Sequence, residues 1–186
     1  MTRTVRLKVE PMTAESFSPY GEVWDAREHP ADHRQSFQVA YDPEGKPTGS
    51  VMWQPYQTLT FTKLERHFHA THVFIPLSGS LAAVAVALGT DENDPNSIPD
   101  PDDVRAFLID GTKGFCYKRA TWHSLDRYIL NPPGTTFITF NNSPNPTQTV
   151  DYMDGYSLTH TDLSTDTNPT RLEMKDATGV TFEIAL

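Results

Sequence analysis

The chain has 186 residues and a formal net charge of −9, from 15 basic and 24 acidic side chains. The basic residues are scattered along the sequence, which is the wrong charge distribution for a nucleic-acid partner. The longest apolar run, Leu81 to Leu88, has eight residues. A membrane-spanning helix needs ~20 apolar residues, so the expected partners are small molecules or another copy of the chain.

The cysteine content and the N-terminus predict a cytoplasmic protein. A single cysteine, Cys116, cannot form an internal disulfide. The first residues lack the long apolar stretch of a signal peptide. A chain of this length fits one domain, which can bury roughly 70% of the surface that its unfolded chain exposes.

Taken in chain order, the sequence predicts one short helix followed by many strands. Thr13 is placed to cap a helical turn that contains Phe17 and ends before Pro19 and Gly21. Beyond it, runs rich in Val, Ile, Thr, Tyr and Phe recur between turn signals, at 35–41, 57–64, 73–77, 81–88, 104–109, 115–117, 124–130 and 135–140. Prolines and glycines between the runs favour short hairpins, so we predict an all-β sandwich or barrel with a short N-terminal helix.

Two segments interrupt this pattern within what we predict to be one domain over residues 1–186. Residues 91–103 hold six acidic residues and three prolines, which is typical of a loop inserted between two strands. From about residue 156 the sequence becomes polar before a final strand near 180–184, and we interpret this part as a C-terminal extension.

Three histidines lie within six residues, at His67, His69 and His72. Residues two apart on a strand face the same side, so we expect His67 and His69 to present both imidazoles to the interior. A turn at Ala70 and Thr71 would then bring His72 to the same place. Each histidine alone could be a hydrogen-bonded interior residue, but the three together favour a divalent metal site.

This pattern resembles the first motif of the cupins, which places His-x-His on a strand and a glycine further along. His67, His69 and Gly79 match it, and His72 occupies the place of the next ligand, seven residues before the glycine. The second cupin motif supplies a histidine from a later hairpin, for which His123 is the candidate. The resemblance implies a double-stranded β-helix, the jelly-roll barrel, with His67, His69, His72 and His123 as metal ligands.

Within the cupins the sequence is similar to the ureidoglycolate lyase family. The matching segments are 17–23, 64–67, 74–76, 84–89, 105–107 and 114–117, with Trp122 and His123. The resemblance implies a carbon–nitrogen lyase of the amidine-lyase class that releases urea and glyoxylate from ureidoglycolate in allantoin and purine catabolism. It also implies a homodimer and a divalent ion: nickel, zinc, iron or manganese. Three positions differ from the family pattern: His69, His72 and Ser124.

The chemistry of that reaction indicates the remaining candidate site residues. Tyr117, Lys118 and an unligated His123 are candidates for moving protons. Arg119 is the candidate for binding the substrate carboxylate, because a guanidinium can bind it in bidentate fashion. Tyr20 and Trp122 are expected to line the pocket or to pack in the core.

Two other functions fit the same sequence. One is a different cupin reaction at the same metal, an oxygenase or an isomerase acting on another small organic acid, which the full set of histidines favours. The other is a cupin that binds a small molecule without catalysis.

Overall fold

The computed structural model describes residues 2–25, 36–174 and 177–186. Within these ranges it contains one short 3₁₀ helix, Pro101–Asp103, and sixteen strands. The strands are β1 Arg3–Pro11, β2 Gly21–Trp24, β3 Lys46–Pro55, β4 Thr60–Phe61, β5 Lys63–His67, β6 His72–Pro76, β7 Ala82–Ala87, β8 Arg105–Ile109, β9 Gly114–Tyr117, β10 Trp122–Ser124, β11 Tyr128–Ile129, β12 Gly134–Ser143, β13 Thr147–Asp151, β14 Tyr156–His160, β15 Thr170–Glu173 and β16 Val180–Ala185.

The strands form two sheets. The larger has the order β15-β14-β13-β5-β10-β7-β8-β1-β16-β4, with β11 also paired to β7, and the smaller has the order β2-β9-β6-β12-β3. Most neighbours are antiparallel, but β1 runs parallel to both β8 and β16. The all-β, cupin-type fold predicted from the sequence is confirmed. The described residues include no helix with the length and hydropathy needed to cross a bilayer.

Strand β7 lies between two hydrophobic cores. All six of its residues are buried, and alternate side chains point to opposite faces of a strand. Ala83, Ala85 and Ala87 pack in an outer core, with side chains from β1, β16 and β13. Ala82, Val84 and Val86 pack on the other face, in an inner core with aromatic side chains from β6, β9 and β12. The apolar run in the sequence is therefore a strand covered on both faces.

The predicted N-terminal helix is wrong, since residues 14–20 form consecutive turns. Thr13 does cap the first turn, because the Ser16 amide donates to its Oγ1 at 3.0 Å and the Phe17 amide to its carbonyl at 3.0 Å. A helix would continue with a bond from residue 19 to residue 15, but Pro19 has no amide hydrogen. The helical hydrogen bonds are therefore interrupted at Pro19, although the Gly21 amide donates to Phe17 O at 3.0 Å.

The strand predicted at 35–41 is also wrong where the structure describes it, at 36–41. Side chains take up backbone amides that a neighbouring strand would need: the Ala40 amide donates to Glu22 at 2.8 Å, and the Asp42 amide to the Thr71 hydroxyl at 2.9 Å. The rest of that prediction, residue 35, lies outside the described residues.

The acidic segment 91–103 connects β7 to β8 and is held against the outer face of the larger sheet. Arg66 binds it there, donating to Thr90 O at 3.0 Å, to Thr90 Oγ1 at 3.1 Å and to Asp91 O at 3.2 Å. Its remaining donors reach Gln148 Oε1 at 3.0 and 2.7 Å. The guanidinium also lies 4.8 Å from the Phe68 ring centroid and 4.7 Å from that of Trp122.

Candidate active site

His67, His72 and His123 come together between the two sheets. One ring nitrogen of each lies within 4.8 Å of those of the other two, and all three residues are buried. The ring centroids are 4.8 Å apart for His67 and His72, 5.2 Å for His67 and His123, and 5.8 Å for His72 and His123. Of the predicted ligands, these are the ones that the fold brings to one point.

Strand register explains why they meet. β10 pairs with β5 so that His123 lies opposite Glu65, and β5 pairs with β13 so that His67 lies opposite Thr147. In the smaller sheet, His72 on β6 lies opposite Tyr117 on β9. Paired residues project from the same face of a sheet. The inner faces of the two sheets therefore supply all of these side chains.

Hydrogen bonds fix the tautomer of His67. Its Nδ1 lies 2.8 Å from Thr147 Oγ1, and that hydroxyl donates its own hydrogen to Asn145 O at 3.0 Å. The hydroxyl must therefore accept from the imidazole, which places the His67 proton on Nδ1. Nε2 then carries a lone pair, and it has no partner among the described residues.

His123 is held in the same tautomer by a different partner. Its Nδ1 lies 3.0 Å from Ser124 O, and a carbonyl can only accept, so Nε2 carries the lone pair. His123 Nε2 and His72 Nδ1 are both buried without a partner among the described residues. Three converging imidazoles, each with an orphaned nitrogen, fit the donor set of a divalent metal ion.

The electrostatics of the site favour neutral imidazoles. Burial, and secondarily the charge of Arg127, lower the pKa of His67 to about 3. Burial also lowers the pKa of His72 and of His123 well below the usual range, with neighbouring positive charge adding to the effect. A neutral imidazole is the form that binds a metal. At neutral pH these histidines can therefore bind a metal ion without losing a proton from a charged imidazolium.

Two further polar side chains face this group. Glu65 Oε1 lies 3.9 Å from His67 Nε2 and 3.8 Å from His123 Nδ1, and burial raises the pKa of Glu65 to about 7. The Tyr117 ring stacks on His123 at 4.3 Å between centroids and 8° between planes. Its hydroxyl is buried without a partner among the described residues, and burial raises its pKa.

A buried arginine, Arg127, completes the site. The residue lies after the end of β10 and is 1% exposed. The guanidinium packs on Phe74, 4.1 Å from the ring centroid, and the same ring lies 4.4 Å from that of His72. Nη2 donates to Leu125 O, but Nε and Nη1 have no acceptor within the described part of the chain.

The structure does not bring His69 to this group. β5 ends at His67, so the alternation that would place His69 on the same face has already stopped. His69 lies in a bend with a side chain that is 44% exposed, and its Nδ1 is 3.7 Å from Glu44. The residue that shares the inner face with His67 is Glu65, two positions earlier.

Lys118 and Arg119 also lie away from the histidines. Lys118 Nζ donates to Ser18 O at 2.6 Å. Arg119 forms ion pairs with Asp42, at 3.0 Å, and with Glu44. The structure therefore does not bring these two side chains to the histidine group: Lys118 Nζ and the Nη1 and Nη2 atoms of Arg119 have acceptors elsewhere, and Arg119 Nε has none among the described residues.

Tyr20 and Trp122 are core residues in this structure. Tyr20 packs against Phe107, with 5.6 Å between ring centroids. Trp122 belongs to the outer core, and its Nε1 donates to Thr90 Oγ1 at 3.1 Å. Since Trp122 and His123 are adjacent on β10, they face opposite sides of the sheet. Neither Tyr20 nor Trp122 lines the histidine group, so core packing is the role that the structure supports.

Sequence reasoning missed Glu65, Thr147 and Arg127. Strand alternation counted backwards from His67 would have indicated Glu65, but the other two had no local signal. Thr147 depends on the register between β5 and β13. Arg127 lies in a polar stretch between two short strands, where an arginine is usually exposed.

Comparisons with known proteins agree with this site. The profile of the family described as "Ureidoglycolate lyase" matches residues 4–153. Proteins named "Ureidoglycolate lyase" from Escherichia coli O139:H28 (strain E24377A / ETEC), Escherichia coli O9:H4 (strain HS) and Shigella boydii serotype 18 (strain CDC 3083-94 / BS512) are each 32% identical over 130 residues, covering 64% of this chain and 78% of the relative. The chain belongs to the ureidoglycolate lyase family.

Proposed function

We propose that this protein is a lyase that cleaves the carbon–nitrogen bond of ureidoglycolate and releases urea and glyoxylate. The observation that carries the proposal is the family match, which spans residues 4–153 and therefore includes all three clustered histidines. The buried polar side chains between the sheets also support the proposal, because candidate metal ligands, a hydroxyl donor and a cation lie together in one apolar interior.

We further propose that His67, His72 and His123 hold a divalent metal ion, with nickel, zinc, iron and manganese as the candidates. The support is that each imidazole has a buried nitrogen without a partner in the described residues. A bound ion would supply Lewis acidity toward the carboxylate and hydroxyl oxygens of the substrate. His69 is left out of the proposed ligand set.

The reaction needs one proton removed and one delivered. The substrate hydroxyl loses its proton as the aldehyde C=O of glyoxylate forms, the C–N bond breaks, and the departing urea nitrogen gains a proton. The carboxyl group of Glu65 faces two of the histidines and is placed to accept the hydroxyl proton and to pass it to the departing nitrogen. Since the proton that is removed is the one that is delivered, the carboxyl group returns to its starting state after each turnover.

Tyr117 is proposed as the hydrogen-bond donor to the leaving group. Burial raises the pKa of its hydroxyl, so the group keeps its hydrogen at neutral pH. The stacking on His123 fixes the direction in which the hydroxyl points. Lys118 has no place in this mechanism, because its ammonium group is bound to the carbonyl of Ser18.

The test is a direct assay of the proposed reaction. Purified protein, loaded in turn with Ni²⁺, Mn²⁺, Zn²⁺ or Fe²⁺, is incubated with ureidoglycolate, and urea and glyoxylate are quantified separately. We expect both products in equal amounts with at least one metal, and loss of turnover after chelation. Absence of turnover with every metal would contradict the proposed substrate.

For the assembly and its location we propose a cytoplasmic homodimer. β3 ends the smaller sheet, and its exposed side includes Val51, which is 75% exposed, and Trp53, which is 55% exposed. An apolar edge strand is a surface that a second copy can cover. Sedimentation at micromolar concentration is expected to give twice the chain mass, and a Trp53→Lys variant is expected to shift it toward the monomer.

A further inference from the structure

Arg127 is a buried cation that forms no ion pair with a carboxylate of the described residues, although it lies close enough to Glu65 for its charge to lower the pKa of that carboxyl group, against the larger effect of burial. The residue is 1% exposed, and Nε and Nη1 have no hydrogen-bond acceptor among the described residues. Removing a guanidinium from water without satisfying its donors is costly. Such a group is expected to bind an anion that comes from outside the chain.

The protein holds the backbone of this arginine in place from two sides. The Arg127 amide donates to Gln54 Oε1 at 2.6 Å, and Gln54 Nε2 donates to Asp126 Oδ1 at 3.1 Å. Ser124 Oγ donates to Asp126 O at 2.8 Å. The segment between β10 and β11 is therefore fixed by side chains from β3 and β10. A guanidinium on a rigid backbone is preorganised for a ligand.

The side chain also faces the histidine group. Phe74 contacts both the guanidinium, at 4.1 Å, and the His72 ring, at 4.4 Å between centroids. The charge of Arg127 is close enough to lower the pKa of His67, His72 and His123, after burial as the main cause. The cation and the candidate metal ligands therefore share one interior.

From this geometry we propose that Arg127 binds the carboxylate of the substrate and so selects small 2-hydroxy and 2-oxo acids. The substrate's identity rests on the proposed function, but the need for a carboxylate does not. Guanidinium and carboxylate groups match in shape and can form paired hydrogen bonds. Arg119, which the sequence indicates for this role, already forms ion pairs with two carboxylates, those of Asp42 and Glu44.

The test compares Arg127→Met and Arg127→Lys with Arg119→Met, which removes an arginine at the protein surface. Glycolate and glyoxylate are titrated calorimetrically into each metal-loaded protein, which requires no turnover. We expect Arg127→Met to weaken binding by about 100-fold and Arg127→Lys by about 10-fold, because lysine keeps the charge but loses the fork. Arg119→Met is expected to stay within about threefold of the wild type, as exposed pairs contribute little.

Thermal unfolding separates a binding role from a structural one. Without added anion, Arg127→Met is expected to melt no lower than the wild type, because it removes a buried guanidinium of which two nitrogens have no acceptor in the described residues. Glycolate should raise the melting temperature of the wild type and of Arg119→Met, but not that of Arg127→Met. If Arg127→Met does not fold, the binding measured for Arg127→Lys decides the question.

Substrates with and without a carboxylate give a second readout. Hydroxymethylurea is ureidoglycolate without its carboxylate, and we expect the wild type to prefer ureidoglycolate and Arg127→Met to lose most of that preference. The proposal would be overturned if Arg127→Met bound glycolate within threefold of the wild type. If Arg127→Met does not fold, the same limit applies to Arg127→Lys. A wild type that binds neither glycolate nor glyoxylate would also overturn it. Anion binding that depends on Arg127, in a protein that does not cleave ureidoglycolate, would contradict only the proposed function.

Discussion

Arg66, on β5, and Arg127, between β10 and β11, are both buried, yet their surroundings differ completely. Every nitrogen of the Arg66 guanidinium has an acceptor, in Thr90, Asp91 and Gln148. Burial lowers the pKa of Arg66 to about 10, so it stays charged at neutral pH. Arg127 leaves two of its three nitrogens without an acceptor in the described residues.

The difference follows the two faces of the sheet. On the outer face of β5 and β10, Leu64, Arg66 and Trp122 pack with their hydrogen bonds completed. On the inner face, His67 and His123 each keep a nitrogen without a partner in the described chain. Unsatisfied buried groups cost stability and persist where function needs them. The outer face should therefore control stability, and the inner face should control binding.

The largest effect is expected on metal binding. His67→Ala and His123→Ala each remove one of the three proposed metal ligands. Loss of a residue that only hydrogen-bonds to a ligand lowers metal affinity by up to about 100-fold, so loss of a ligand itself should lower it by more than that. Elemental analysis after dialysis should find stoichiometric metal in the wild type and in Arg66→Met, and little in either histidine variant. Equal metal content in all four would contradict the proposed site.

On the outer face, the largest effect is expected on stability. Arg66→Met leaves several buried acceptors unsatisfied, and should lower the free energy of unfolding by about 3 kcal/mol. That corresponds to a melting temperature lower by about 6–12 °C in a chain of this size. Arg6→Met is the matched control, since the Arg6 side chain is 72% exposed. An unchanged melting temperature for Arg66→Met would break the contrast between the two faces.

A smaller effect is expected from the residue that fixes the His67 tautomer. Thr147→Val removes the hydroxyl that accepts from Nδ1, and should weaken metal binding by about 10–100-fold. Thr147→Ser keeps a hydroxyl and should restore most of the affinity. Competition with a chromogenic chelator measures both variants, and a Thr147→Val protein with wild-type affinity would exclude this role.

The smallest effect is expected at the histidine that the sequence favoured and the structure places elsewhere. His69→Ala removes a partly exposed contact with Glu44, so stability should change by at most about 1 kcal/mol. Metal affinity should stay within about threefold of the wild type, in contrast to His67→Ala. Loss of metal from His69→Ala would return this residue to the ligand set.

The sequence was informative wherever short-range alternation decides the structure. The apolar run at 81–88 and the mixed run at 135–140 correspond to β7 and to part of β12. β3 was not predicted, because it contains Pro47, Gly49 and Pro55. An edge strand tolerates proline, since one side of its backbone is not paired.

The site was only partly predictable because it depends on register. His67, His72 and His123 were identified by residue type and motif. Their meeting point, and the presence of Glu65 and Thr147, depend on which residues lie opposite each other across three strand pairs. The importance of Arg127 comes from burial alone, and no local pattern separates it from an exposed arginine such as Arg6.

The position of β1 has a consequence for how the protein is made. Residues Arg3 to Lys8 pair with Val180 to Ala185, while Val9 to Pro11 pair with Ala106 to Leu108. Two-thirds of the paired residues of β1 must therefore wait for their partners until residues 180–185 have been synthesised. Pairing over such a separation is slow and leaves apolar edges open. Most of β1 is therefore expected to join the larger sheet late in folding, after β16 has been synthesised.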